Sequence, residues 1–252
     1  MTLINPTQAI EEYIGEQFVE WLVNFIPQEV ASWPFMAQIS HVHPTPAKLK
    51  KFMVQRFLAA EAWFGRKSGD PGFLRFALAN LSESDDPLAE SSLEILEKKR
   101  QDELAGHRLE NDVIQTATRE QWLRFLKALG LSLEEIERAQ AKEMTRNYIA
   151  DLSDVYSNSE WQMALGTMFA QELAESEEFR IYVSALKQNT SLTDHDLEVF
   201  TQTHQPQAKF STHLLDKLVF DPESKALVWE GVRKQLDIRH DFLTALGKYL
   251  AA

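Results

Sequence analysis

An all-α fold is what this sequence predicts, and three observations carry the prediction. Apolar residues recur at intervals of three and four, the spacing that builds one face of a helix. No run alternates apolar and polar residues over six positions, as a half-buried strand would. Glycine occurs only nine times in 252 residues, too few for the closely spaced turns of a sandwich or barrel.

The elements follow in order. Ile10, Ile14, Phe18, Trp21, Leu22 and Phe25 mark a first amphipathic helix, which Pro27 should close because proline removes a helical donor. A short second helix, about 29–39, turns Trp33, Phe35, Met36 and Ile39 inward. His41-Val42-His43-Pro44-Thr45-Pro46 reads as a loop, since a residue before proline is pushed out of the helical region. His41 and His43 are spaced for ligation there, although surface histidines in loops are commoner. A long helix over 47–66 has Leu49, Phe52, Met53, Phe57, Leu58, Trp63 and Phe64 as its apolar side. Glu61 lies inside that pattern, either as a ligand or base, or as the half-exposed partner of a Lys or Arg. A turn over 69–72, a helix over 73–81 and a polar linker over 82–87 come next.

A central helix is expected over 88–117. Its segment Arg100-Gln101-Asp102-Glu103-Leu104-Ala105-Gly106-His107-Arg108-Leu109-Glu110 would project Glu103, His107 and Glu110 from one side at i, i+4 and i+7. Two carboxylates and an imidazole on one stripe suit iron or manganese. The charged run Glu97-Lys98-Lys99-Arg100 beside them equally suits a face in water.

Trp122, Leu123, Phe125, Leu126 and Leu129 then form a helical face ended by Gly130. Ser132-Leu133-Glu134-Glu135 is a capping box for the next short helix. A helix over 145–155 follows, and Ser159 should cap one that carries Trp161, Leu165, Met168, Phe169, Glu172 and Leu173. Glu172 interrupts an apolar stripe. A carboxylate there must be paired, protonated or metal-bound to offset desolvation, unless the acidic patch over 175–178 marks a solvated helix end. Further helices are read at 179–186, 196–203 and, with His213 inside it, 207–218. Asp221-Pro222 starts the last helix, proline being at home in a first turn. It carries Leu227, Val228, Val232, Leu236, Phe242, Leu243, Leu246, Tyr249 and Leu250. His240, between Arg239 and Asp241, reads as solvated.

Composition removes several function classes. The formal net charge is −12 with no basic stripe, which argues against nucleic acid as a partner. Cysteine is absent, so thiolate nucleophiles, disulfides and Cys-ligated zinc or iron–sulfur sites are excluded. No apolar run approaches the roughly 18–20 residues that span a bilayer, and no signal peptide is read at the start. The expectation is a soluble, cytoplasmic protein that makes no membrane contact. Apolar residues at 44% suffice for a sizeable core, and no repeat or low-complexity linker divides the chain.

Several segments resemble the haem-oxygenase-like α-helical fold, in its TENA, PqqC and CADD-like branch, which includes the haem-oxygenase-like dimetal oxidases. Trp33-Pro34-Phe35 and the helix from Ala47 are similar to that family's opening segment, and Asp102-Glu103-Leu104 resembles its acidic helix. Ala128-Leu129-Gly130-Leu131 with Glu134-Glu135 looks like the corresponding turn of the CADD-like proteins. Ser191-Leu192-Thr193-Asp194 and Val199-Phe200-Thr201-Gln202-Thr203-His204 resemble the approach to the family's histidine helix. The resemblance implies a single haem-oxygenase-like helical domain over 1–252, with 1–28 as an N-terminal extension helix.

In the dimetal oxidases the ligands come as Glu-x6-His, a lone Glu, and His-x3-Asp-x2-His. Residue by residue, Glu103 matches the first acid, Glu172 the lone Glu and His204 the first His of the triplet. The chain departs from the pattern at Glu110, where the family has His, and at Ala208 and Ser211, where it has Asp and His. His107 and His213 are the available substitutes, the latter if the region of Pro206 shifts the register. The resemblance therefore implies metal ligands among Glu103, His107, Glu110, Glu172, His204 and His213, with Trp63, Phe64 and Phe169 lining a pocket. It implies one or two Fe2+ ions, or manganese, O2 and a small amino-acid-like or fatty-acid-like substrate, and a homodimer. The alternative is a non-catalytic CADD-like scaffold that binds a small molecule or a partner through a degraded metal site. TENA-like hydrolysis would lack its cysteine nucleophile, and Trp33 stands where a haem oxygenase would carry its proximal His.

Overall fold

The computed structural model describes residues 6–41, 44–62, 72–86, 88–90, 92–94, 96–97, 107–108, 114–115, 118–201, 215–216 and 218–251. They form a helical bundle, and the all-α prediction stands. The helices are α1 (Pro6–Glu12), α2 (Glu16–Ser32), α3 (Pro34–His41), α4 (Pro46–Glu61) and α5 (Phe73–Ser82). After these come α6 (Thr118–Ala128), α7 (Leu133–Glu137), α8 (Glu143–Asn158), α9 (Trp161–Asn189), α10 (Glu198–Thr201) and α11 (Pro222–Ala251).

Local chemistry explains most of the boundaries. Thr45 caps α4, accepting from the Lys48 amide, with Pro46 in the first turn. Ser132 and Glu135 form the reciprocal capping box expected for α7. Asp221 accepts from the Ser224 amide at 2.7 Å and opens α11 just before Pro222. Gly130 ends the turn after α6 with φ 83°, a conformation that a Cβ opposes, and its carbonyl accepts from Lys50 Nζ at 2.8 Å.

Four boundary readings are corrected. Pro27 lies inside α2 and does not close it. Its neighbours Ile26 and Val30 are fully buried, so tertiary packing overrides the loss of one backbone bond. His41 is the last residue of α3 and not part of a loop. Glu160, not Ser159, precedes α9, and Ser159 instead terminates α8. The acidic run over 175–178 does not separate two helices, because α9 is continuous for 29 residues, about 43 Å at 1.5 Å per residue.

The central helix is the larger correction. Residues 88–90, 92–94 and 96–97 are helical, but His107-Arg108 (β1) pairs antiparallel with Ile114-Gln115 (β2), His107 opposite Gln115. Helical spacing therefore does not apply at His107. The signal that could have shown this is local: Gly106 precedes it and Asn111-Asp112 lies between the two pairs, all of them helix-weakening residues.

The bundle is organised on α9 and α11. The two run parallel and approach so closely that glycine is required on each. A Cβ on Gly166 would sit 2.2 Å from the Val228 carbonyl oxygen, and one on Gly231 would sit 2.1 Å from that of Met163. Thr167 Oγ1 ties the crossing by donating toward Gly231 O at 3.2 Å. Because both obstacles are backbone, Gly231→Ala is expected to cost about 2–3 kcal/mol through overpacking. That is a fall in Tm of about 5–10 °C for a chain of this size, read by a circular-dichroism melt.

Candidate functional site

The polar interior of the bundle begins with Gln171, Glu175, Glu178 and Tyr182 on α9, which recur at three and four and so share one stripe. Arg56 of α4 and Arg239 of α11 converge on that stripe, and both are buried with Glu178. Arg56 Nη2 lies 2.9 Å from Glu178 Oε1. Arg239 donates to Glu178 Oε2 through Nε at 2.9 Å and Nη2 at 2.5 Å. Nη2 also approaches Glu175 at 3.3 Å, and Nη1 donates to Gln171 Oε1 at 2.8 Å. Gln171 Oε1 further accepts from Gln235 Nε2 and from the Tyr148 hydroxyl, while Gln171 Nε2 donates to Glu175 at 2.6 Å.

Charge in this network is set by the balance of burial and pairing. Burial pushes Glu178 up, but Arg239 and Arg56 together outweigh it and hold its carboxyl below the ordinary value near 4.5. Glu175 lies in the opposite case: burial dominates, Arg239 and Arg56 offset it only in part, and its carboxyl is raised. Burial, and then Glu178 beside it, pushes the Tyr182 hydroxyl well up. The acidic run over 175–178, which by sequence left a solvated helix end open as one alternative, is thus in part the electrostatic centre of the core. Arg239, read only as a neighbour of His240, is one of its two cations.

Beside the ion network stands an aromatic tier. Trp122 of α6 meets Phe57 of α4 at 6.1 Å, Phe179 of α9 at 6.4 Å and Phe200 of α10 at 5.3 Å between ring centroids. The register of α4 against α9 follows from two pairs: Phe52 meets Tyr182 at 5.9 Å, and Arg56 meets Glu178. Four residues forward on α4 match four residues back on α9, so the helices are antiparallel.

Two acids that interrupt apolar stripes in the sequence, Glu172 and Glu61, are both buried. Glu172 precedes Phe179 by seven residues, so it lies on the stripe that Phe179 presents to α6 and α10. Glu172 is buried at 7% exposure, which removes the reading of a solvated helix end. Glu61 follows Phe57 by one turn, and its Oε1 accepts from Arg119 Nε at 3.0 Å. It is therefore the partner of an Arg, as one reading had it, though buried at 6% and not half-exposed. Arg119 precedes Trp122 by one turn on α6.

Of the other expected ligands, Glu103, Glu110, His204 and His213 lie outside the described residues, as do Trp63 and Phe64. His107 is placed only by its backbone pairing with Gln115. Phe169 is fully buried on α9. Among the described residues no three of His, Asp and Glu stand close enough to hold a metal ion. A separate apolar cleft of about 20 Å³ is lined by Ile39, Leu49, Met53, Tyr182, Leu186 and Leu250, among others. No helix among the described residues is long and apolar enough to cross a membrane.

The ion network makes a direct prediction. Glu178→Gln leaves two buried guanidiniums sharing too little negative charge and should cost about 3–5 kcal/mol by urea unfolding. The carboxyl of Glu178 is held low in the folded state, so its contribution is present at neutral pH and lost as pH falls through and below about 4.5. The variant should therefore show a shallower loss of stability on acidification than the wild type.

The sequence profile of the TENA/THI-4/PQQC family matches residues 22–246. A CADD-like protein of unknown function from Nostoc punctiforme superposes with a TM-score of 0.70 at 11% identity, over 93% of this chain and 99% of its own. A domain of unknown function with a haem-oxygenase-like fold from Shewanella denitrificans gives 0.68 at 14% identity, over 98% and 94%. A TenA homologue from Pseudomonas syringae gives 0.67 at 12% identity, over 98% of each chain. No curated protein matches the chain by sequence.

Proposed function

Since the chain belongs to the TENA/THI-4/PQQC family and has the haem-oxygenase-like fold, we propose that it is an oxidase. It acts with O2 on a small metabolite at a non-haem iron or manganese centre in the bundle. The observation that carries this reading is Glu172, a carboxylate buried on the stripe of α9 that faces Trp122 and Phe200. A buried carboxylate there is a hard oxygen donor of the kind iron and manganese favour, so the donor chemistry of the described site fits such an ion. The remaining donors are Glu103, His107, Glu110, His204 and His213. Of these, His204 follows α10 by three residues, and α10 packs Phe200 against Phe179 at 5.0 Å on the same stripe.

The ion, when bound, supplies the electrons and the open coordination positions that O2 chemistry needs. The chain's own residues do the rest. Glu172 holds the ion through oxygen and lowers the net charge of the centre. Phe57, Trp122 and Phe179 wall one side and exclude water, which strengthens electrostatics within. Glu178 with Arg56 and Arg239 locks α4, α9 and α11 in register, and so fixes the level at which Glu172 stands. A substrate and O2 are the partners, and a homodimer is the proposed assembly.

A second reading is a non-catalytic binding protein of the same fold. It is favoured by Ala208 and Ser211, which stand where the family's dimetal oxidases carry Asp and His. The two readings separate on metal. Protein grown in iron-supplemented medium should carry a stoichiometric transition metal by mass spectrometry, and Glu172→Ala should lower that content at least several-fold with unchanged circular dichroism. Wild-type protein with less than about a tenth of an equivalent would leave the binding-protein reading in its place.

A further inference from the structure

Two large apolar side chains stand in water at one spot on the surface. Ile14, in the turn between α1 and α2, is 56% exposed, and Phe220, just before α11, is 62% exposed. Leaving such groups in water forgoes the stabilisation that burial brings. They are far apart in sequence, and the fold brings them together at Gly15. A Cβ on Gly15 would lie 2.5 Å from Phe220 Cζ, so the ring rests on backbone that only glycine leaves open, at φ 53°. The platform beneath is pinned. Gly15 N donates to Val219 O at 3.5 Å, and the buried Lys225 of α11 donates from Nζ to Tyr13 O at 2.8 Å. Phe220 is therefore exposed and yet seated, and a seated aromatic ring loses little freedom when a partner covers it.

The charge around this spot has one sign. Exposed carboxylates flank both residues, Glu11, Glu12 and Glu16 around Ile14 and Asp221 and Glu223 after Phe220. Neither 6–24 nor 218–224 contains a Lys or Arg, and none of these carboxylates is ion-paired among the described residues. The neighbouring cation, Lys225, is turned inward onto Tyr13 O and lies 5.8 Å from the Phe18 ring. An apolar anchor inside an acidic rim fits a protein segment that surrounds its own apolar side with Lys or Arg. Nucleic acid and an anionic bilayer are repelled by the rim. A second copy related by a two-fold axis would set this face on itself, carboxylate against carboxylate, so the proposed homodimer belongs to another face.

We propose that the face carrying Ile14 and Phe220 docks a basic amphipathic segment of a partner protein. The apolar side of that segment covers Ile14 and Phe220, and its Lys or Arg side chains meet the surrounding carboxylates. This goes beyond the oxidase reading and does not depend on it.

The probes are a short fluorescein-labelled amphipathic helical peptide of leucine and lysine and a second peptide of the same composition in scrambled order. Both are titrated into the full-length protein and followed by fluorescence anisotropy. Wild type should bind the amphipathic peptide at least about tenfold more tightly than the scrambled one. The double variant Ile14→Asp/Phe220→Asp should lose that preference, even though it adds negative charge that attracts lysine. Both side chains are exposed, so its circular dichroism should match wild type, and Phe220→Ser alone should lose most of the preference as well. Leu133→Asp, at an apolar position 43% exposed on α7, should keep it in full. Equal binding of the two peptides by wild type, a preference that survives Ile14→Asp/Phe220→Asp, or an equal loss in Leu133→Asp overturns the assignment. So does a wild-type dimer that Phe220→Ser splits in sedimentation, which gives the face to a second copy. Binding to phosphatidylcholine vesicles that Phe220→Ser abolishes gives the face to a bilayer and overturns it too.

Discussion

Two guanidinium groups share one carboxylate in the middle of this bundle, and the rest of the structure depends on how that arrangement is held. Arg56 comes from α4, Arg239 from α11 and Glu178 from α9, so a single buried ion cluster joins three helices distant in sequence. Removing any of them from water is costly, and the cost is offset only if every partner is in place. The amide of Gln171 and the hydroxyl of Tyr148 supply further hydrogen bonds. An apolar core could have tolerated a slip of one helix past another; this one cannot, because a slip of one turn would strand a buried charge.

The fixed register has a chemical consequence one turn or two away. The buried acids Glu61 and Glu172 lie one turn and two turns along their helices from Phe57 and Phe179 of the aromatic tier. Glu61 pairs across helices with Arg119, which is 46% exposed, whereas the partners of Glu178 are buried with it.

Close packing of α9 on α11 complements the ion cluster. Gly166 and Gly231 let the two backbones meet without an intervening side chain, and the parallel crossing then carries Gln235 to Gln171 and Arg239 to Glu175 and Glu178. The glycines and the charged pair are parts of one constraint. Close contact at the start of the two helices aims the long side chains further along.

Helical periodicity, proline and glycine punctuation and capping chemistry were legible in the sequence alone, because each is decided by residues within about four positions of one another. They predicted the all-helical class, the capping box at Ser132, the start of α11 at Pro222 and the stripe on which Glu172 stands. What they misjudged was decided at long range. Pro27 sits within a helix because Ile26 and Val30 are buried, and the acids at 175 and 178 are interior because arginines about 120 residues upstream and 60 residues downstream reach them. Glu172 could be recognised as an anomaly from its apolar neighbours, but only the tertiary structure showed that it and Glu61 are both buried. A local pattern can mark a residue as out of place; which distant residue answers it depends on packing that no short window contains.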